Sequence, residues 1–321
     1  TYKAEVLHQS YRRRIRPRSH YTLGRLPLWA RLASLAPRVT NQALSARVFA
    51  HAVRFATGMD QRRGLPRFAA TSFRRWWRAN AADRRTHGAP VLLWVDTFTN
   101  YFSPEIGVAA VRLLEDAGFR VTIPQRAGCC GLTWISTGQL DAAQRILRRT
   151  VAGLLPAVNA DIPVVGLEPS CTATLRSDGL DLLDTPQAKR VASATRTLGE
   201  LLSNVAGWEP PRLDGQPVVA QPHCHHSAVM GWDTDAALLR RAGAQLTRVA
   251  GCCGLAGNFG VERGHYEVSV VVAETGLLPA VRAAPEDALL LADGFSCRTQ
   301  LADLADRRAV HLAQLLAPPP Q

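Results

Sequence analysis

Cysteine is the residue type in this sequence with the most specific chemistry. Four of the seven cysteines form two adjacent pairs, Cys129–Cys130 and Cys252–Cys253, and a glycine follows each pair. Adjacent cysteines seldom form a structural disulfide, because the geometry is strained. The pattern therefore predicts metal binding or redox chemistry. The three remaining cysteines are single: Cys171, Cys224 and Cys297.

The sequence predicts a β-strand shortly before each cysteine or cysteine pair, and a helix after each Cys-Cys-Gly. In an open α/β sheet, ligands gather outside the carboxyl ends of the strands. We therefore expect Cys224, Cys252, Cys253 and Cys297 to meet at one site. The predicted strands are 91–95, 120–123, 162–167, 218–220, 245–249 and 288–292, and the predicted helices are 105–117, 140–155, 236–242 and 265–274.

Four cysteine thiolates suit a 4Fe–4S cluster or a tetrahedral zinc ion. The neighbouring glycines let the backbone approach closely and direct N–H groups toward the sulfurs. Helix N-termini at the same edge of the sheet favour an anionic thiolate site. Cys224, Cys252, Cys253 and Cys297 are thus the predicted ligands, with a 4Fe–4S cluster as the favoured cofactor and zinc as the alternative. A second, less complete set is predicted from Cys129, Cys130 and Cys171.

Three sequence features each occur twice, with nearly the same number of residues between the two copies. This indicates an internal duplication. The two Ala-Gly-Cys-Cys-Gly-Leu segments are 123 residues apart, and Cys171 and Cys297 are 126 residues apart. Two Ala-Gly pairs that follow predicted helices, at 117 and 242, are 125 residues apart. The predicted organisation is a helical basic arm (1–88), a first repeat (89–207) and a second repeat (216–316).

The alternation of strands and helices from residue 90 onward predicts an α/β fold with parallel sheets and flanking helices. The arm is predicted to be helical and irregular, with no strand. It carries most of the charge: residues 1–87 have 19 Lys/Arg against 3 Asp/Glu, and the rest of the chain has 19 against 23. Such an arm suits an acidic partner surface or an anionic membrane, or it is simply a solvated helical face.

The sequence predicts no transmembrane span and no signal peptide, so the expected location is the cytoplasm. Peripheral association with the inner face of the membrane is an option that the basic arm leaves open. The chain begins with Thr1, and the lack of an initiator Met suggests a fragment of a longer protein or a processed chain.

The doubled Cys-Cys-Gly resembles the cysteine-rich CCG-domain family, which includes a subunit of heterodisulfide reductase and the iron–sulfur subunits of glycolate oxidase and lactate-utilisation enzymes. The chain is most similar to the C-terminal iron–sulfur part of fused FAD-linked oxidases. Thr1-Tyr-Lys-Ala-Glu5 and Arg16-Pro-Arg18 resemble the segment that follows a ferredoxin-type cluster domain in such fusions.

The resemblance implies an electron-transfer module of a flavin-linked oxidoreductase that acts on a 2-hydroxy acid such as glycolate or D-lactate. The expected partners are a flavin-containing dehydrogenase domain or subunit that carries FAD, a ferredoxin-type cluster domain, and a quinone or another electron acceptor. The module is not expected to oxidise the hydroxy acid alone. Two alternatives stay open: a cluster-based thiol–disulfide reductase, and a zinc-stabilised binding domain without redox function. Nucleic-acid binding is not favoured.

The chain departs from the pattern of the family, in which each repeat has a Cys, a Cys-Cys-Gly and a Cys-x-x-Cys. The first repeat has no cysteine before Cys129, and Asp96 is one group that could replace it. Both repeats lack the last cysteine, since Thr-Ala-Thr follows Cys171 and Arg-Thr-Gln follows Cys297. A five-cysteine site is therefore not expected.

Several polar residues lie next to the cysteines. His223, His225 and His226 surround Cys224, and an imidazole there could ligate metal, tune a cluster or relay protons. His265 is expected to be structural. Glu168 precedes Cys171, and Asp293 precedes Cys297. Both carboxylates are expected to cap helices.

Overall fold

The computed structural model describes residues 2–126 and 128–318. Thr1, the first residue of the arm, and Ala127, which precedes the first Cys-Cys-Gly, lie outside the described residues.

The first sheet has four parallel strands in the order β2-β1-β3-β4. The central strand β1 is buried from Val91 to Trp94, as expected for an apolar run covered on both faces. The two-residue strand β4 was not predicted from the sequence, because it is too short to show a pattern. The strands are β1 (Ala89–Trp94), β2 (Phe119–Thr122), β3 (Val164–Gly166) and β4 (Thr195–Arg196).

The second sheet has three parallel strands in the order β6-β5-β7. Two parallel sheets with helices around them confirm the predicted α/β class. The three strands are β5 (Pro217–Ala220), β6 (Gln245–Arg248) and β7 (Leu289–Leu291).

The arm is helical with irregular connections, as predicted. Its α-helices are α1 (Tyr2–Ser10), α2 (Arg18–Thr22), α3 (Leu26–Ala33), α4 (Pro37–Ser45), α5 (Arg47–Thr57) and α6 (Phe73–Ala79). The helices around the first sheet are α7 (Thr97–Tyr101), α8 (Pro104–Asp116), α9 (Leu132–Ser136), α10 (Leu140–Val158), α11 (Pro169–Arg176), α12 (Asp178–Leu183), α13 (Pro186–Ala194) and α14 (Leu198–Leu202). Those around the second sheet are α15 (Asp233–Arg241), α16 (Tyr266–Glu274), α17 (Leu277–Ala283), α18 (Phe295–Ala305) and α19 (Leu312–Leu316).

The two Cys-Cys-Gly segments lead into different local structures. In the first repeat, the short helix α9 begins directly after Gly131 and was not predicted, and α10 corresponds to the helix predicted over 140–155. In the second repeat, a turn and a short 3-10 helix (Phe259–Val261) come after Gly254. The next α-helix, α16, begins at Tyr266 and confirms the helix predicted over 265–274. The intervening turn contains small and turn-forming residues, Ala-Gly-Asn, at 256–258.

One hydrophobic core connects the two sheets. It contains Val91 and Leu93 of β1, Val218 of β5 and Leu316 of the last helix, all buried. Helix α19 packs against α8, so the end of the described chain returns to the first sheet. The two sheets therefore belong to one packed body. Among residues 2–126 and 128–318, no helix combines the length and the apolarity that a membrane span needs.

Candidate metal centre

The four cysteines of the second repeat lie at one edge of the second sheet. Cys224 follows β5, Cys252 and Cys253 follow β6, and Cys297 lies in the first turn of α18, after β7. Because the three strands are parallel, their carboxyl ends lie at the same edge. The topology thus brings together side chains that are far apart in sequence.

The sulfur atoms of these residues form a chain of contacts, from Cys224 to Cys252, then to Cys253 and finally to Cys297. Hydrogen bonds from Cys224 and Cys253 hold the pKa of Cys252 well below its usual range. The contacts with Cys252, together with burial, raise the pKa of Cys224 and of Cys253. A metal centre bound by these cysteines would displace the protons of the thiols that ligate it.

A glycine closes each cysteine loop. The N–H of Gly254 donates to the Cys252 sulfur at 3.4 Å, and its φ of +89° is in the left-handed region. A Cβ at this position would lie 2.2 Å from the Ser269 carbonyl oxygen, so the loop requires glycine. Gly131, with a φ of +78°, donates to the Cys129 sulfur at the same distance. The two loops therefore present their first sulfur in the same way.

The first repeat brings its three cysteines together. The sulfurs of Cys130 and Cys171 are 3.1 Å apart, and both side chains are buried. Burial and neighbouring thiols raise the pKa of Cys129 and Cys130, and the pKa of Cys171 is raised to about 12. The backbone of Cys129 is fixed by Thr150, whose hydroxyl accepts from its N–H at 3.1 Å and donates to its carbonyl at 2.8 Å. These thiols are therefore protonated and held in place.

Asp96 lies at the N-terminus of α7, where its carboxylate caps the helix. Its Oδ1 accepts the backbone N–H groups of Phe98 at 2.7 Å and Thr99 at 2.9 Å. Its Oδ2 accepts the Thr99 hydroxyl at 2.6 Å. Burial raises the pKa of this carboxyl group despite these hydrogen bonds. Both oxygens are engaged in the cap, which argues against Asp96 as the missing ligand of the first repeat.

The histidines around Cys224 lie in different surroundings. His223 is buried, with its Nδ1 accepting the His225 N–H at 3.2 Å and its Nε2 3.3 Å from the Ser296 hydroxyl. Burial lowers the pKa of His223 to about 3, so its imidazole is neutral. His223 and His225 line the same cavity as the cysteines. They are therefore placed to contact a group that the cysteines bind.

His226 lies apart from that cavity. Its Nε2 is 3.4 Å from Asp235 Oδ2, and Asp293 completes a buried group of three. This group lines a separate small cavity. His265, expected to be structural, stacks on Phe259 with ring centroids 4.2 Å apart. Of the three histidines proposed as ligands, His226 is thus the one that the fold places away from the thiols.

Glu168 and Asp293 cap helices, as expected, although each caps a helix other than the one that follows it. Glu168 Oε2 accepts the N–H of Phe295, the first residue of α18, at 2.8 Å, and its Oε1 accepts the Ser170 hydroxyl at 2.8 Å. Asp293 Oδ1 accepts the N–H of Leu312, the first residue of α19, at 2.7 Å. Burial raises the pKa of Glu168 to about 7. Glu168 therefore joins the first repeat to the helix that carries Cys297.

All seven cysteines line a single cavity of about 1000 Å³. Between the two sets of thiols, Phe98 of the first repeat stacks on Phe295 of the second, with ring centroids 4.6 Å apart. Helix α3 of the arm adds Leu26, Trp29 and Leu32 to the wall, which is mostly apolar. The arm therefore forms one wall of an open cavity, called the thiol chamber below, that both cysteine sets line.

Sequence reasoning missed the residues that build this chamber. Phe98 and Phe295 each lie in the first turn of a helix that follows a buried strand. That shared position was visible in the sequence and is the signal that could have paired them. Nothing in the sequence pattern of α3 marks Leu26 or Trp29 as chamber residues, since amphipathic arm helices pack in many ways.

The parallel sheets and paired cysteine loops define a cysteine-rich α/β protein. Residues 96–176 match the model of the CCG family, described as a cysteine-rich domain. The predicted relationship to CCG-domain proteins is thereby confirmed.

Curated relatives extend the comparison beyond that domain. The chain is 27% identical over 311 residues to a subunit of the anaerobic glycerol-3-phosphate dehydrogenase of Escherichia coli K12, covering 93% of this chain and 76% of the relative. It is 26% identical over 241 residues to lactate utilization protein A of Bacillus velezensis, covering 70% of this chain and 98% of the relative. It is also 28% identical to D-2-hydroxyglutarate dehydrogenase of Escherichia coli K12, covering 70% of this chain and 22% of that protein.

Proposed function

We propose that the chain is the iron–sulfur electron-transfer module of a flavin-linked oxidoreductase. Cys224, Cys252, Cys253 and Cys297 would hold a 4Fe–4S cluster, which supplies one-electron transfer when bound. The observation that carries the proposal is the chain of contacts among these four thiols at the ends of three parallel strands. The surrounding residues would fix the sulfurs, exclude water and donate N–H groups to the thiolates.

A flavin-containing dehydrogenase, on a partner subunit or elsewhere in a longer protein, is the proposed electron donor, with a ferredoxin-type cluster domain as the intermediate. Two of the relatives are named as a dehydrogenase and as a subunit of one. The names of two relatives refer to 2-hydroxyglutarate and lactate, which are 2-hydroxy acids, and this supports a substrate of that type. Glycerol 3-phosphate is not a 2-hydroxy acid, so the dehydrogenase class is better supported than its substrate.

A quinone is the proposed electron acceptor, and the thiol chamber is where it would bind. The chamber has a volume of about 1000 Å³, and its wall is mostly apolar. Sites for small apolar ligands have this character, with a few polar groups that orient the ligand. His223 and Ser296, whose Nε2 and hydroxyl oxygen are 3.3 Å apart, are polar groups in the wall beside the second repeat.

The arm is proposed to lie on an anionic membrane surface, from which a quinone would reach the chamber. Among the described residues, twelve of the fifteen exposed large apolar side chains belong to the first 55 residues. Exposed arginines adjoin several of them, as in Arg31–Leu32, Arg38–Val39 and Arg47–Val48. Apolar side chains among basic ones are typical of helices that lie in a membrane interface. We call α3, α4 and α5 together the interfacial face.

The proposal is tested by iron, zinc and labile-sulfide analysis of the anaerobically purified chain, with EPR before and after dithionite. We expect about four iron and four sulfide per chain. Cys252→Ser should abolish both, because its sulfur is at the centre of the contact chain. Cys171→Ser is the matched control and should leave this signal intact. Stoichiometric zinc without sulfide would instead establish the zinc-stabilised domain.

A cluster-based thiol–disulfide reductase is the second candidate, because Cys252 and Cys253 line a chamber with room for a disulfide. It predicts that a small disulfide is reduced by the dithionite-reduced protein. Reduction of a soluble quinone without reduction of disulfides would favour the first candidate.

A further inference from the structure

The first repeat has three thiols and no fourth ligand of comparable kind among the described residues. The carboxylate that could have completed the set, Asp96, accepts three hydrogen bonds within the cap of α7. A second buried acid, Glu168, accepts from Ser170 and from Phe295. Both carboxylates are therefore engaged in stabilising local structure, and neither completes a set of four ligands with the three sulfurs.

Two of these sulfurs are unusually close. Cys130 Sγ and Cys171 Sγ are 3.1 Å apart, whereas two thiolates on one tetrahedral zinc ion would be about 3.8 Å apart for Zn–S bonds of about 2.3 Å. The contact is made by buried side chains on different elements, the loop before α9 and the first turn of α11. This spacing suits sulfurs that bond to each other better than sulfurs that surround a metal.

We propose that Cys130 and Cys171 form a reversible dithiol–disulfide couple, so that the first repeat stores an electron pair in place of a cluster. Formation of the bond between the two sulfurs releases two electrons and two protons. Reduction breaks that bond and takes up two electrons and two protons. The thiol of Cys129 stays outside the couple.

The couple would convert single electrons into pairs, a role that rests on the proposed function. Its thiols face the same chamber as Cys224, Cys252, Cys253 and Cys297. Two electrons, delivered singly by an iron–sulfur cluster at those cysteines, and two protons from solvent would reduce the disulfide. A quinone in the chamber would then take both electrons and two protons to become a quinol, and the disulfide would form again.

The test is differential thiol labelling across a series of dithiothreitol redox buffers under anaerobic conditions. Samples are quenched in acid, denatured, alkylated and digested, and the peptides are weighed. We expect a cross-linked species that joins the peptide of residues 129–130 to that of Cys171, lighter by two hydrogens than the reduced pair, and reversible with the buffer. Cys130→Ser and Cys171→Ser should lose it, and Cys129→Ser should keep it.

Iron and sulfide analysis of the same variants separates this inference from the proposed function. We expect Cys130→Ser and Cys171→Ser to retain the metal content of the wild type, whereas Cys252→Ser loses it. Loss of iron in Cys130→Ser or Cys171→Ser, with an unchanged thermal unfolding midpoint, would overturn the couple, since those thiols would then bind metal. Full alkylation of both thiols at every buffer ratio would also overturn it. A chain without iron that still forms the reversible cross-link would support the couple and refute only the cluster.

Discussion

Gly254 is a single residue on which the geometry of the cysteine loop depends. Its φ is +89°, and an added Cβ would meet the Ser269 carbonyl oxygen at 2.2 Å. Gly264 has a nearly identical φ of +90° but no described atom within 4 Å of the added Cβ. Comparing substitutions at Gly254 and Gly264 therefore distinguishes the strain of a left-handed backbone from the effect of a steric clash.

We expect Gly254→Ala to lower the free energy of unfolding by about 1–2 kcal/mol for the backbone and by a further ~1–3 kcal/mol for the clash. It should also reduce the iron content, because the Cβ that meets the Ser269 carbonyl forces the loop to shift and moves the residue-254 N–H away from the Cys252 sulfur. Gly264→Ala should show only the backbone part and keep its iron. Urea unfolding and metal analysis of both variants provide the measurement. Equal destabilisation by the two would contradict the role of the Ser269 contact.

At the scale of single side chains, the sequence could predict which thiols meet but not which side chains have other partners. The convergence of Cys224, Cys252, Cys253 and Cys297 follows from strand order, which periodicity reveals. The involvement of Asp96 in a helix cap and the position of His226 beside Asp235 depend on side-chain directions. No spacing rule encodes those directions, because each depends on the neighbouring groups that the side chain meets in the folded protein.

At the scale of elements, the arm is attached to the second repeat by Arg63, which is only 1% exposed. Its guanidinium donates to the Gly260 carbonyl, the Gln300 side chain and the Ser269 hydroxyl, each at 2.7 Å. Asp303 is 3.5 Å away and supplies the opposite charge. The adjacent Arg62 is 49% exposed and pairs with Asp60, which is 10% exposed, and with Glu267, which is 72% exposed.

We expect Arg63→Met to destabilise the fold by about 3–5 kcal/mol, because the variant leaves Asp303 and several buried polar groups without their partner. Arg62→Met should cost less than Arg63→Met, because the Arg62 side chain is half exposed and its Glu267 partner lies in solvent. Limited proteolysis should cleave the arm of Arg63→Met faster than that of Arg62→Met. Equal rates for the two variants would mean that the arm is held by other contacts.

Elements with a regular apolar pattern were predictable, and those defined by tertiary contacts were not. Helix α8 and strand β1 lie within one or two residues of their expected bounds. The turn between Gly254 and α16 was not predicted, and Ala256 and Gly257 both have positive φ there. The covering of the chamber by α3 depends on how the arm folds back over both repeats, which a local pattern does not specify.

At the scale of the whole molecule, the interfacial face sets a prediction for membrane binding. We expect the chain to sediment with vesicles that contain anionic lipid, and each basic residue near the surface to contribute about 1 kcal/mol at low salt. Leu32→Ser with Leu35→Ser should weaken binding at least ~10-fold, which is ~1.4 kcal/mol. Raising the salt to about 1 M should weaken the binding of the wild type, because screening shortens to about 3 Å.

The matched control for the vesicle experiment uses exposed apolar residues of the second repeat, outside the arm. Val268 and Val271 on α16 are 52% and 64% exposed, comparable with 57% for Leu32 and 77% for Leu35. Val268→Ser with Val271→Ser should leave vesicle binding unchanged. Equal losses from the two double variants would show that binding follows general surface apolarity and not the arm.

The thiol chamber also has a consequence for how the protein is made. Its wall runs from Lys3 to Asp303, so it closes only after nearly all of the chain has left the ribosome. At about 5–20 residues per second, roughly 8 to 34 seconds pass between the synthesis of Cys129 and that of Cys297. During that interval the early thiols are uncovered, and the proposed metal would meet the first cysteine set before the second has been made. Timing during synthesis, as well as affinity, would then decide which cysteines receive the metal.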